Sequence, residues 1–253
     1  MRHFPTLLRH ELRTLCYAPA TYIAAFLFLI VMGSLFQWVI ETYNQSAQET
    51  IPWVIFFQLF WLPVFFMVPL LTMRSFSEEK RQGTLENLMT TPTGTAEIVL
   101  AKFFSAYLLY LALWGATIGF NHILFHFAQD PRVVETGPLL GGFLFCALSG
   151  LLFIATGIFA STVTRSQLVA GIFSFTLLFG LIVGSRYLSE LKQLETTYSA
   201  NLRNWIDALQ IFQHAEDLGR GVLDSRAVFF YVFSAALMLS FSTLVIRSKV
   251  WRS

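Results

Sequence analysis

The sequence predicts an all-α, polytopic membrane protein with six transmembrane helices, and composition and charge distribution both indicate this fold class. Of the 253 residues, 55% are hydrophobic and only 13% are charged, whereas about 25% of the residues of a soluble domain are charged. The charged residues are also clustered, so that six long runs contain none of them. Each run is long enough to cross the hydrocarbon as a helix, and they are Thr14–Ile40, Thr50–Met73, Phe103–Gln129, Thr136–Thr164, Ser166–Ser185 and Ala227–Ile246.

Within a single domain covering residues 1–253, these runs predict spans at about 18–40, 51–73, 98–126, 139–161, 167–186 and 227–246. The second span contains Pro63 near its middle. Because proline has no backbone N–H and its ring clashes with the preceding turn, we expect the second span to be kinked there.

Residues 2–16 precede the first span and predict an N-terminal interfacial helix. Apolar residues recur there at helical spacing, namely Phe4, Leu8, Leu12 and Leu15. Arg9 and Arg13 fall on other faces, so the helix is expected to lie flat on membrane lipid, with its arginines toward the headgroups. The alternative is a basic segment that only sets the orientation of the first span.

Lysines and arginines are distributed unevenly between the loops, and this predicts orientation. One side receives the basic residues Arg2, Arg9, Arg13, Arg74, Lys80, Arg81, Lys102, Arg165, Arg247, Lys249 and Arg252. The short loops on the other side contain none (41–49) or one, Arg132. The positive-inside rule therefore predicts that both termini and residues 74–97 are cytoplasmic.

Residues 187–226 form the longest connection and are predicted to lie outside as an amphipathic helical hairpin before the last span. Apolar residues recur in steps of three and four at Leu188, Leu191, Leu194, Tyr198, Leu202, Trp205, Leu209 and Phe212. A break is expected near 196–200, and Gly219-Arg220-Gly221 is expected to end the second arm. The residues assigned to an outer gate are Leu202, Trp205, Leu209, Phe212 and Arg220.

The charged segment Met73–Pro92, MRSFSEEKRQGTLENLMTTP, lies between two apolar runs and must sit at the membrane surface. It resembles the first cytoplasmic loop of ABC-2 type transporter permeases, in particular the gliding-motility-associated branch. The stretches GIFASTVTRSQLVAGI (157–172) and RGVLDSR (220–226) also resemble that branch.

The resemblance implies a permease subunit in a bacterial plasma (inner) membrane, with 2–16 as an elbow helix and 74–97 as a cytoplasmic coupling segment containing a short coupling helix. It implies two copies of a separate ABC ATPase as partners, and a second copy of this chain or a related permease subunit. ATP and Mg²⁺ would be bound by the ATPase, so this chain itself would need no cofactor. The residues expected to couple to the ATPase are Glu78, Glu79, Lys80, Arg81, Gly83, Thr84, Leu85, Glu86 and Leu88. The alternative is a scaffold subunit of a cell-envelope or motility complex, or an intramembrane enzyme.

The sequence offers no catalytic or metal-binding residues. It has no Gly-x-x-x-x-Gly-Lys-Ser/Thr phosphate loop, so any ATP hydrolysis is expected on another polypeptide. His122 and His126 are four residues apart, with Asp130 nearby, but they lack the Glu of a metalloprotease motif and are read as interfacial histidines. No nucleic-acid partner is expected. Substrate and transport direction are not specified by these residues.

Overall fold

The computed structural model describes residues 4–45, 52–84, 94–120, 122, 136–194, 210–222 and 224–250. Within these ranges the regular structure is helical and no residue belongs to a strand, which confirms the all-α prediction for them. The helices are α1 Phe4–Tyr17, α2 Pro19–Gln45, α3 Pro52–Gln58, α4 Trp61–Thr72, α5 Ser77–Gln82, α6 Thr95–Ala116, α7 Thr136–Val163, α8 Gln167–Leu194, α9 Ile211–Gly219 and α10 Ser225–Val250.

Five helical segments among the described residues are long and apolar enough to cross a membrane. They are Pro19–Tyr43, Thr95–Phe120, Thr136–Val163, Gln167–Tyr187 and Ser225–Ser248. A sixth span results if α3 and the helix that begins at Trp61 are counted as one broken crossing. The multi-span prediction is therefore confirmed, with six spans as its upper count.

The second predicted span is bent by 45° between Gln58 and Trp61. Pro63 lies in the first turn of α4, and the residue four positions before it is Leu59, which lies in the break. Proline cannot donate to the carbonyl four residues back and clashes with it, so a helix running through Leu59 is disfavoured. The kink expected from Pro63 is present, and it falls one turn before the proline.

The described part of α8 runs to Leu194, eight residues beyond the predicted end of the fifth span. The helix thus continues into the segment that was predicted to be an amphipathic helical hairpin, in agreement with the helical spacing of Leu188, Leu191 and Leu194. The predicted break at 196–200 lies outside the described residues.

Helix α7 is the centre of the bundle and packs against α6, α8, α9 and α10. Its most apolar stretch is 67% buried, compared with 28% for α2 and 22% for α10. Close approach at one end depends on Gly141, where an added Cβ would lie 1.8 Å from the carbonyl oxygen of Leu218 in α9. Small residues at such crossings allow two helix backbones to touch.

Candidate functional site

Helix α5 is the short helix within the predicted coupling segment. Glu78 and Glu79 occupy its first turn and Lys80 and Arg81 its last, which matches the helix dipole at both ends. It stops at Gly83, whose φ of 69° is left-handed and whose N–H donates to the carbonyl of Glu79. A helix of six residues is not stable alone. Its position must therefore come from contacts with the rest of the chain.

The first contact is a buried charge cluster formed by Glu11, Glu79 and Lys102, from helices α1, α5 and α6. The ammonium Nζ of Lys102 lies 2.8 Å from Oε1 of Glu11 and 2.6 Å from Oε1 of Glu79. The Lys102 side chain is only 5% exposed, and its Nζ also lies 5.4 Å from the centre of the Phe76 ring. One lysine thus joins α1 to α5 through short, charge-assisted hydrogen bonds.

The second contact gives α5 a cap from another helix. Ser161, near the end of α7, accepts hydrogen bonds through its Oγ from the backbone N–H groups of Phe76 (2.9 Å) and Ser77 (3.1 Å). These donors at the start of a helix have no partner within it. Lys80 also donates from its Nζ to the carbonyl oxygen of Thr162. The end of α7 therefore holds both the first and the second half of α5.

The third contact joins α5 to α8. Nε2 of Gln167 donates to Oε2 of Glu78 across 2.6 Å, and Nε2 of Gln82 donates to the other oxygen, Oε1, across 3.0 Å. Gln167 is the first residue of α8, so this bond joins α5 to the start of a span. Altogether, α5 is bonded to α6, α7 and α8, and through Lys102 of α6 it is connected to α1.

The structure divides the predicted coupling residues into two groups. Glu78, Glu79 and Lys80 face the interior of this chain, where they make the contacts described above. By contrast, the Arg81 side chain is 63% exposed, and Gly83 and Thr84 are exposed. Leu85, Glu86 and Leu88 lie outside the described residues.

The residues that hold α5 in place were not among the site residues predicted from the sequence. They are Glu11, Lys102, Ser161, Thr162 and Gln167. A signal was available for two of them. Glu11 is the single acidic residue of an otherwise apolar and basic helix, and Lys102 is a charge within the first two turns of a predicted span.

A cleft of about 510 Å³ opens between α1 and α5, and we refer to it as the α1–α5 cleft. Its lining residues come from both helices and from the adjoining parts of α6 and the chain before α5, and include His10, Glu11, Thr14, Tyr17, Arg74, Glu78, Glu79, Gln82, Lys102 and Ser105. Two buried polar atoms in these residues have no hydrogen-bond partner, Nε of Arg74 and Oε2 of Glu79.

Two residues of the predicted outer gate, Phe212 and Arg220, are described, and they lie at the other end of the bundle from α5. Gly141, which touches α9, and Ser161, which caps α5, are twenty residues apart on α7, or about 30 Å along the helix axis. The ring centres of Phe212 and Phe60 are 5.6 Å apart, and Phe60 lies in the bend of the second span. The guanidinium of Arg186 lies 5.4 Å from the centre of the Phe212 ring.

Arg220, the other described gate residue, directly follows α9; its side chain is 61% exposed and pairs with Glu216 in that helix. Helix α9 ends at Gly219, as the Gly219-Arg220-Gly221 sequence predicts. Gly221 has a left-handed φ of 83°. Leu202, Trp205 and Leu209 lie outside the described residues, so their assignment to the gate stays a prediction.

His214 of α9 is buried against α10, and its Nδ1 lies 3.3 Å from the hydroxyl of Tyr231. Burial lowers the pKa of this histidine below its ordinary value of 6.5, because the charged imidazolium loses its hydration. Asp217 and Asp224 act in the opposite direction, but more weakly.

No group of three or more potential metal ligands occurs among the residues that the structure describes. His122 is one of them, whereas His126 and Asp130 are not. The structure therefore leaves the interpretation of this histidine pair as a prediction.

Comparison with known proteins gives one family. The family described as "ABC-2 family transporter protein" matches residues 36–246, which is more than half of the chain. Among curated proteins, none matches. The matched range includes α5 with its contacts on α6, α7 and α8, and it also includes α9. The chain belongs to the ABC-2 family of transporter proteins.

Proposed function

We propose that this chain is the membrane subunit that couples ATP hydrolysis on a separate ABC ATPase to movement of a substrate across the membrane. By this proposal, residues 74–97 and both termini face the cytoplasm of a bacterial plasma membrane. Two ATPase copies bind beneath two permease subunits, either two copies of this chain or this chain and a related one. The likeness of Met73–Pro92 to the gliding-motility-associated branch suggests that branch.

The observation that supports this proposal best is the set of bonds made by α5. A surface loop that only set topology would not need a buried lysine, a serine cap and a glutamine bridge from three different helices. These bonds join α5 to α6 through Lys102, to α7 through Ser161 and to α8 through Gln167. A force applied to α5 is therefore transmitted to three spans.

The exposed side of the segment is the proposed contact with the ATPase. Arg81 and Thr84 are exposed, and Leu85 and Leu88 follow them with the spacing of one helical face. In such interfaces a few buried apolar side chains supply most of the affinity, while charges orient the partners. Leu85 and Leu88 are the proposed apolar anchors.

The experiment is to purify the chain together with its ATPase and to compare Leu85→Asp with Leu209→Asp. Both substitutions place a carboxylate on a predicted apolar helix face outside the spans. We expect Leu85→Asp to weaken ATPase binding at least tenfold, which is the loss of a central apolar contact. Leu209→Asp, in the predicted outer hairpin, is expected to leave ATPase binding unchanged. Full ATPase binding and unchanged coupled turnover in Leu85→Asp would contradict the proposal.

Glu79→Arg is not a clean probe of the same contact, although Glu79 belongs to the predicted coupling residues. Its Oε1 is bonded to Lys102 inside the chain, so an arginine would face a buried ammonium and destabilise the fold.

The chain alone is expected to show no saturable ATP hydrolysis, since it has no phosphate loop. Hydrolysis by the chain free of any ATPase would contradict this expectation.

A further inference from the structure

The α1–α5 cleft has the size and the mixed lining of a small-molecule site. Its volume of about 510 Å³ falls within the range of ligand pockets, roughly 300–1,000 Å³. It combines charged groups of both signs with the aromatic ring of Tyr17. The ATPase contact proposed above uses the exposed side of the segment, so it does not account for this cleft.

The charges in the α1–α5 cleft are not balanced. Three carboxylates, those of Glu11, Glu78 and Glu79, face two cations, Lys102 and Arg74. Lys102 is paired with Glu11 and Glu79, whereas Arg74 makes no ion pair with any residue that the structure describes. With histidine neutral, the lining has a net charge of −1, which disfavours a purely anionic ligand.

Two of these groups have unused hydrogen-bonding capacity. Nε of Arg74 and Oε2 of Glu79 are buried, and neither has a hydrogen-bond partner within the described parts of the chain. Leaving such atoms unpaired is costly, especially in charged groups. Both side chains also line the cleft, so a ligand bound there must present an acceptor to the guanidinium of Arg74 and a donor to the carboxylate of Glu79. An anionic acceptor and a cationic donor in one molecule would leave the net charge of the cleft unchanged.

The cleft lies where the interfacial helix meets the first span. Tyr17 ends α1 and is 81% exposed, a position typical of a tyrosine at the membrane surface. Exposed apolar residues of α2 begin five residues later with Tyr22, Phe26 and Ile30, one helical turn apart. A ligand at this joint can place a polar group in the cleft and acyl chains against α2.

We propose that the α1–α5 cleft binds a phosphoethanolamine group, which phosphatidylethanolamine presents at the membrane surface. The phosphate accepts hydrogen bonds from Arg74, and the primary ammonium donates to Glu79. A choline headgroup has no N–H to donate, and a glycerol headgroup has no cation for the carboxylates. This inference does not depend on ATPase coupling, only on α1 lying at the membrane surface.

The test is binding of defined lipids to the purified, delipidated chain, measured by native mass spectrometry. Phosphatidylethanolamine, phosphatidylcholine and phosphatidylglycerol with identical acyl chains are compared, together with water-soluble glycerophosphoethanolamine. We expect phosphatidylethanolamine to bind tightest. Equal binding of the three lipids would overturn the proposal. Equal affinity for glycerophosphoethanolamine would support the headgroup site and identify a soluble compound as its ligand.

Variants at two arginines separate this site from general charge effects. Arg74→Gln is expected to lower the affinity for phosphatidylethanolamine at least tenfold, as the loss of a hydrogen bond to a charged group predicts. Arg74→Lys should retain part of the affinity, because it keeps the charge. Arg81→Gln, at the same end but exposed, should leave the affinity for phosphatidylethanolamine unchanged.

Thermal unfolding without lipid establishes that each variant is folded. Unchanged phosphatidylethanolamine binding in folded Arg74→Gln would overturn the proposal. The same result together with weaker ATPase recruitment would identify the cleft as a protein-binding site instead.

Discussion

Replacing Lys102 by methionine should be among the most damaging single changes in this chain outside its apolar core. The lysine side chain is 5% exposed, and its two carboxylate partners, Glu11 and Glu79, are 12% and 22% exposed. Methionine preserves the length of the side chain but leaves two carboxylates facing each other without a cation. Removing one partner of a buried ion pair costs about 3–5 kcal/mol. We expect a loss of that size in the free energy of unfolding.

The assay is reversible unfolding of the purified chain in detergent, followed by far-ultraviolet circular dichroism. The control is Arg81→Met, which removes an arginine that is 63% exposed and paired at 3.5 Å with Glu78. An exposed pair of this kind contributes at most about 1 kcal/mol. Equal effects of Lys102→Met and Arg81→Met would refute the assignment of Lys102 as the group that joins α1 to α5.

A triple variant separates loss of the charge cluster from loss of packing. Lys102→Met combined with Glu11→Gln and Glu79→Gln removes all three charges while keeping the side-chain volumes similar. Because an uncompensated buried charge costs more than a neutral replacement, the triple variant should recover most of the stability lost in Lys102→Met. A triple variant less stable than the single one would contradict this electrostatic explanation.

Three other predictions test packing, pH dependence and orientation. Gly141→Ala should destabilise the chain by about 1–3 kcal/mol through overpacking against the carbonyl of Leu218, whereas Gly180→Ala, with open space around it, should not lower the stability; equal unfolding transitions would contradict this packing. The pKa of His214 is lowered in the folded state, so the unfolded state binds more protons below about pH 6.5. The free energy of unfolding should therefore fall as the pH drops below that value. If His214→Gln shows the same dependence of this free energy on pH, the histidine is not the cause. A cysteine at Gln82 should react with impermeant reagents only from the cytoplasmic side, and labelling from outside would reverse the proposed topology.

Much of the architecture could be predicted from the sequence, because long runs without charged residues indicate membrane-spanning helices. The kink near Pro63 was also predictable, since proline has a fixed local effect. The extension of α8 beyond the fifth span was predictable for another reason, because a helix that leaves the membrane can continue as long as its amphipathic spacing does. Leu188, Leu191 and Leu194 have that spacing, and the helix reaches Leu194.

The candidate site was predictable in position but not in detail. The charge-rich segment identified where α5 lies, whereas its partners Glu11, Lys102 and Ser161 are distant in sequence and come together only through packing. Sequence alone also could not show that Glu79 faces the interior while Arg81 faces solvent. That difference depends on which side of a six-residue helix contacts α6, and six residues are too few to define an apolar face.

Site-specific photocrosslinking tests the coupling role of this segment most directly. A photoreactive amino acid replaces Arg81 in one variant and Arg220 in another. These arginines are matched, because their side chains are 63% and 61% exposed and each pairs with a glutamate three or four residues before it. In cells that contain the cognate ATPase, the Arg81 variant should crosslink to a polypeptide that mass spectrometry identifies by its phosphate loop as an ABC ATPase, and the Arg220 variant should not. Capture of the ATPase from Arg220, or its absence from the Arg81 adduct while it copurifies with the chain, would contradict the account.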